Sequence, residues 1–137
     1  MEKRFKRSLR EVEKVFEFID EFVKRSDVDE DSAFGLSLAV EELFTNMVKY
    51  NADNKEDILI TLMRAEDELI VRMSEFNTKG FDIRKAKKYD TTRTLTDRET
   101  GGIGVHLATQ YVDRIEYEYG ENKAVITLVK KLRRTNV

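Results

Sequence analysis

The sequence predicts an α+β two-layer sandwich, in which a mostly antiparallel sheet is covered on one face by three helices. Two observations predict this class. Apolar residues recur at helical spacing in three segments, and two pairs of segments alternate between apolar and polar residues around short polar turns. Helices beside antiparallel hairpins favour this architecture over a parallel sheet.

The first helix is predicted from Ser8 to about Arg25. Ser8 and Glu11 have the spacing of a capping box, in which each side chain bonds a backbone N–H at the helix start. The preceding segment, Lys3–Lys6, predicts a short strand. The apolar stripe of the helix consists of Leu9, Val12, Phe16, Ile19 and Val23, and Val15 and Phe22 widen it.

The second helix is predicted to begin near Asp29 or Asp31, because acidic side chains suit a helix N-terminus. It runs to about Tyr50, and the polar segment Asn51–Asp57 then interrupts the chain. The buried face of this helix is predicted to contain Leu36, Ala39, Val40, Leu43, Met47 and Val48.

The first hairpin is predicted from two alternating segments, Ile58–Met63 and Leu69–Ser74, with a polar turn at Arg64–Glu68. The next stretch, Asn77–Thr100, is rich in Lys, Arg, Asp and Thr. A polar stretch of this length inside a small domain is usually functional or mobile.

The glycine-rich segment Gly101–Gly104 opens a third predicted helix, which runs to about Val112. A second hairpin follows, with strands at Arg114–Tyr119 and Ala124–Lys131 and a turn at Gly120–Lys123.

The composition limits the classes of function. A chain of 137 residues with 40% hydrophobic residues is expected to form a single domain over residues 1–137. The net charge of -2 provides no basic field for nucleic-acid binding. The absence of cysteine and the single histidine exclude cysteine-based and multi-histidine metal sites.

The chain is expected to be cytoplasmic and not bound to a membrane. The absence of cysteine is compatible with a reducing compartment. No segment has the apolar length of a membrane span, and the charged N-terminal segment lacks the apolar core of a signal peptide.

A carboxylate and an amide share one face of the second helix, because Glu42 and Asn46 are four residues apart. The amide oxygen of Asn46 can ligate Mg²⁺, which prefers oxygen donors. Glu42 can take a proton from a hydroxyl group, and Lys49 can neutralise phosphate oxygens. Alternatively, these are ordinary solvated helix residues. Either Glu41 or Glu42 can be the acid that faces inward, and the spacing to Asn46 favours Glu42.

A glycine-rich turn leads into the third helix at Gly101, Gly102 and Gly104. Glycines allow close approach of the backbone to an anion, and the helix start offers unpaired N–H groups. The pattern therefore indicates phosphate binding, with His106 as a further candidate contact. The alternative is a simple loop hinge with a structural histidine.

Together, these motifs resemble the serine kinases that act as anti-sigma factors in bacterial partner-switching systems. These kinases belong to the GHKL superfamily of ATPases, which also contains the histidine kinases. The resemblance extends over Leu9–Lys131 and rests on LSLAVEELFTNMVKY, GFDI and GGIGVHLATQYVDRIEYEYGENKAVITLVKK, in that order.

The resemblance implies a Bergerat-type fold that binds Mg²⁺ and ATP under a mobile lid at about residues 84–100. It implies Glu42 as the catalytic carboxylate and Asn46 as the Mg²⁺ ligand. The other implied ATP contacts are the backbone of Gly102 and Gly104, the Phe81–Asp82 pair that closes the G1 box, and Thr127 near the adenine.

The sequence departs from the family pattern at the G1 box, which usually reads Asp-x-Gly-x-x-Phe-Asp. Counting back from Phe81 places Phe76 at the aspartate that reads the adenine amino group, and Thr78 at the glycine. Glu75, one residue earlier, is the candidate substitute for this aspartate.

The resemblance implies a homodimeric anti-sigma factor that sequesters a sigma factor and phosphorylates an anti-anti-sigma antagonist of the STAS type. The G1 departure motivates an alternative, a regulator that sequesters its partner without catalysis. A detached histidine-kinase catalytic domain ranks last, because the chain has no phospho-accepting helical hairpin.

Overall fold

The computed structural model describes residues 1–50, 53–78 and 110–132. The chain begins with β1 (Glu2–Phe5), a 3-10 turn (Leu9–Glu11), α1 (Val12–Ser26) and α2 (Glu30–Tyr50). The remaining strands are β2 (Ile58–Arg64), β3 (Glu68–Phe76), β4 (Arg114–Gly120) and β5 (Lys123–Lys131).

The five strands form one sheet in the order β1-β2-β3-β5-β4, and every neighbouring pair is antiparallel. This architecture confirms the predicted α+β class, the N-terminal strand and both hairpins. The described residues contain two long helices, whereas the sequence predicts three. Most of the third predicted helix lies outside the described residues, and only Gln110 and Tyr111 of it are described, as helical.

The core lies between the two long helices and one face of the sheet. Successive strand residues point to opposite faces, so each strand contributes every second side chain to the core. The members of the hydrophobic core cluster on this sheet face are Phe5, Ile58, Ile60, Leu62, Leu69, Val71, Met73, Ile126 and Leu128. They form one cluster with the buried faces of α1 and α2.

The start of α1 differs in detail from the predicted capping box. The hydroxyl oxygen of Ser8 accepts from the Arg10 N–H and caps the 3-10 turn that precedes α1. The carboxylate of Glu11 accepts from the backbone N–H of Lys6 at 2.9 Å, two residues before Ser8. Because the 3-10 turn tightens the chain, Glu11 accepts from the N–H of Lys6 and not from that of Ser8, as a regular capping box would require.

The start of α2 is capped by Asp29, whose carboxylate accepts from the Ser32 N–H at 2.9 Å. This confirms the predicted beginning of the helix. Gly35 packs against Tyr111, since a Cβ at this position would lie 3.4 Å from the tyrosine Cβ, within ordinary van der Waals contact. Tyr111 therefore lies against the N-terminal half of α2.

No helix within the described residues is long and apolar enough to cross a membrane.

Candidate functional site

The polar pair of α2 lies beside the core, as its spacing predicts. Asn46 is buried, with 7% of its surface exposed, between the core residues Leu43 and Met47. Glu42, one helical turn earlier, is half-buried, and Lys49, three residues after Asn46, is exposed. The structure therefore holds an amide inside and a carboxylate at the rim of the same helix face.

The environment of Glu42 favours its protonated form. Desolvation raises the pKa of Glu42, and the negative charge of Glu41 raises it further, while Lys49 acts in the opposite direction. A raised pKa makes a carboxylate a better proton acceptor. Because Glu41 is also half-buried, its exposure does not separate it from Glu42.

The end of β3 places Glu75, and not Phe76, on the inner face of the sheet. Glu75 is 4% exposed and is two residues after the core residue Met73. Phe76 points to the opposite face, where the cations of Arg4 and Lys123 lie 5.1 and 5.5 Å from its ring centroid. The acid that faces inward at the end of β3 is therefore Glu75. The sequence offers this residue as the replacement for the aspartate that binds the adenine amino group.

The Glu75 carboxylate forms a buried ion pair with Arg7. Nη1 of Arg7 donates to Oε2 of Glu75 at 2.7 Å, and the two side chains are 3% and 5% exposed. The same nitrogen donates to the backbone carbonyl of Met47 at 3.0 Å. Arg7 thus joins the residue after Asn46 on α2 to the end of β3.

Arg7 is the residue of this region that sequence reasoning missed. It belongs to the basic run EKRFKR, which is expected to be a solvated terminus. The signal that could have found it is the following Ser8, which caps the 3-10 turn after β1 and so places Arg7 in the short connection between β1 and the helices. Within the described residues, Nε and Nη2 of Arg7 are buried and have no hydrogen-bond partner.

Thr127 lies on the other face of the sheet. It pairs with Arg72 of β3 and Glu116 of β4, whereas its neighbours Ile126 and Leu128 belong to the core. Because strand residues alternate between faces, Thr127 points away from the face that carries Glu75. The structure therefore buries Asn46 of α2 and Glu75 of β3 on the helix-covered side of the sheet, with Glu42 half-buried and Lys49 exposed on α2, whereas Thr127 lies on the other face.

The other predicted ATP contacts, Phe81, Asp82, Gly101, Gly102 and Gly104, lie outside the described residues, as do His106 and the lid at 84–100. Within the described ranges, no group of three or more acidic or histidine side chains could hold a metal ion. A Mg²⁺ ion with few protein ligands, completed by phosphates and water, fits this donor set, with Asn46 as its candidate protein ligand.

Comparison with known proteins identifies the family. Residues 5–130 match the family described as histidine kinase-like ATPase domain. The chain belongs to this family. No curated protein matches the sequence.

The histidine kinase-like ATPase domain also has a structural relative. The fold is similar to a chain of the solved SiaB–SiaC complex from Pseudomonas aeruginosa, with a TM-score of 0.68 and 11% identity. The alignment covers 96% of this chain and 88% of that chain. At this identity the similarity concerns the fold, whereas the family itself implies ATP binding.

Proposed function

We propose that this protein is an anti-sigma factor serine/threonine protein kinase. It binds ATP with Mg²⁺, sequesters a sigma factor and phosphorylates an anti-anti-sigma antagonist of the STAS type. The observation that carries the proposal is the pair on α2 of a histidine kinase-like ATPase domain: half-buried Glu42, with its raised pKa, one turn before buried Asn46.

The proposed roles follow from the chemistry of these side chains. Glu42 accepts the proton of a seryl hydroxyl on the antagonist. The seryl oxygen forms a bond to the γ-phosphorus of ATP, the bond from that phosphorus to the bridging oxygen breaks, and ADP leaves. Asn46 holds Mg²⁺, which neutralises phosphate charge when bound, and Lys49 lies one turn further along to balance the same charge.

The other proposed contacts belong to the same site. The backbone of Gly101, Gly102 and Gly104 binds phosphate, and Phe81 and Asp82 close the base pocket under a lid at 84–100. Thr127 is not part of this proposal, because its side chain points to the opposite face of the sheet.

The proposed partners are proteins. The structural relative was solved as a complex of two proteins, SiaB and SiaC, which is compatible with a partner-binding role for the fold. We also propose that the protein is cytoplasmic. We further propose that it is a homodimer, and light scattering can test this by measuring the mass of the protein in solution.

Titration calorimetry with Mg-ATP tests the nucleotide site, and transfer of labelled phosphate to a purified STAS-domain antagonist from the same organism tests the kinase. Saturable binding with a micromolar Kd and labelled antagonist serine are expected. Absence of heat at millimolar ATP would contradict both the ATP site and the kinase.

One observation favours a second candidate, a regulator that sequesters its partner without catalysis. Arg7 already bonds the Glu75 carboxylate, which is the candidate reader of the adenine amino group. This candidate predicts stable partner binding without ATP and no phosphate transfer. The same two experiments separate it from the kinase.

A further inference from the structure

The ion pair of Arg7 and Glu75 includes the acid that the family pattern offers as the reader of the nucleotide base. Glu75 is the buried acid at the inner end of β3, and Arg7 ties it to the Met47 carbonyl of α2. The inference below rests on the proposed nucleotide site and concerns which base that site accepts.

A carboxylate alone reads only a hydrogen-bond donor. The two oxygens of Glu75 accept and cannot donate when ionised, so a lone Glu75 would select the 6-amino group of adenine. A nucleotide with an acceptor at the 6-position of the purine would place that acceptor against the Glu75 carboxylate, and the site would reject it strongly.

The guanidinium changes this hydrogen-bonding pattern. Nη1 of Arg7 donates hydrogen bonds to Glu75 and to the Met47 carbonyl. Nε and Nη2 have no hydrogen-bond partner within the described residues. These two nitrogens form one edge of the planar fork, with N–H donors that suit a carbonyl oxygen. A buried guanidinium with unused donors and a 3% exposed side chain gains from an added acceptor.

The charge of the pair favours a neutral acceptor over an anion. The adjacent Glu75 carboxylate balances the guanidinium and repels a phosphate or a second carboxylate. The 6-oxo group of a purine is a neutral acceptor of suitable size.

We propose that Arg7 is a specificity-determining residue, which makes the site accept purine nucleotides with a 6-oxo group about as well as those with a 6-amino group. Arg7 bonds the Glu75 carboxylate, which would otherwise select the 6-amino group. Its Nε and Nη2 supply N–H donors for the 6-oxo group.

Calorimetric titration with Mg-ATP and Mg-ITP tests this assignment, because the two ligands differ only at the 6-position and the adjoining N1 proton. The two Kd values of the unaltered protein are expected to agree within about tenfold. ATP binding that is more than about tenfold tighter than ITP binding would overturn the proposal.

Variants connect the ratio of the two Kd values to Arg7. Arg7→Met is expected to move this ratio toward ATP by about tenfold or more, and Arg7→Lys, which keeps a cation beside Glu75 but lacks the Nε–Nη2 edge, should move it in the same direction. Arg4→Met is the matched control, because Arg4 is three residues earlier, on β1, and its side chain lies over Phe76 on the other face of the sheet. An unchanged ratio in folded Arg7→Met would overturn the proposal.

The outcomes also separate this inference from the proposed function. If neither nucleotide binds, the nucleotide site itself is wrong, and the inference falls with it. If only ATP binds, the proposed function stands and the inference alone is overturned. Where Arg7→Met does not fold, as judged by circular dichroism, the ratio for the unaltered protein and for Arg7→Lys decides.

Discussion

Arg7 and Glu75 lie 68 residues apart in the chain, and their side chains form an ion pair of 2.7 Å that is almost completely buried. Through the Met47 carbonyl, the same arginine also contacts the helix that carries Glu42 and Asn46. The candidate site is therefore joined to the N-terminal segment by a charged contact, so changes near the N-terminus can alter the site.

Breaking this ion pair is expected to destabilise the fold. Arg7→Met removes the guanidinium that pairs with buried Glu75 and should lower the free energy of unfolding by about 3–5 kcal/mol. The double variant Arg7→Met/Glu75→Leu should cost much less than the sum of the single changes, because it removes both buried charges and the unused donors of Arg7. Urea unfolding of the four proteins measures the coupling.

An exposed ion pair on α1 provides the control for this experiment. Lys24 and Asp20 are 3.0 Å apart, but their side chains are 75% and 62% exposed. Lys24→Met should change the free energy of unfolding by less than about 1 kcal/mol. Equal losses for Arg7→Met and Lys24→Met would show that burial of the Arg7–Glu75 pair does not contribute.

Glu42→Gln is expected to abolish phosphate transfer while ATP binding persists, because glutamine keeps the shape of the side chain but cannot accept the proton. A loss of about 10²–10⁴-fold in rate corresponds to removal of a general base. Glu41→Gln is the matched control and should largely retain transfer. Transfer lost in Glu41→Gln but retained in Glu42→Gln would make Glu41 the base.

The pH dependence of stability gives a separate test of the environment of Glu42. Desolvation, with the charge of Glu41, raises the pKa of Glu42 in the folded state. The folded state therefore binds this proton more tightly than the unfolded state, and the resulting stabilisation is lost as pH rises through the folded pKa. Relative to the unaltered protein, Glu42→Gln should thus be more stable at a pH of about 8 than at about 4.

Glu11 supplies a control of opposite sign. The hydrogen bond from the Lys6 N–H is the largest cause that lowers the pKa of Glu11. Its stabilisation is present above the unfolded pKa and is lost as pH falls through the folded pKa. Glu11→Gln should therefore be relatively less stable at the higher pH. The same pH trend for both variants, measured by urea unfolding, would contradict these assignments.

The local patterns of the sequence predicted most of the fold but not all of the site. Alternation of apolar residues located both hairpins, since each strand needs only its own residues to define a buried face. The helix face with Glu42 and Asn46 was predictable for the same reason. The partner of Glu75 was not, because no local pattern reports a contact between residues 68 positions apart.

Thr127 illustrates a limit of a different kind. The resemblance to a family assigned it to the adenine site, whereas the alternation of Ala124, Ile126 and Leu128 on β5 assigns those residues to the core face. The alternation along β5 is visible in the sequence, and it places the side chain of Thr127 on the face of the sheet opposite the core. Where a motif and a strand pattern disagree, the strand pattern determines the direction of the side chain.

The β4–β5 turn offers a stabilising substitution away from the site. Glu121 and Asn122 have φ values of 53° and 61°, in the left-handed region that suits asparagine but costs about 1 kcal/mol for glutamate. Glu121→Asn should raise the free energy of unfolding by up to about 1 kcal/mol, as measured by urea unfolding. Glu118→Asn on β4 is the control and should not stabilise, because asparagine is disfavoured in extended strands. Equal gains in both variants would assign the effect to charge and not to the backbone.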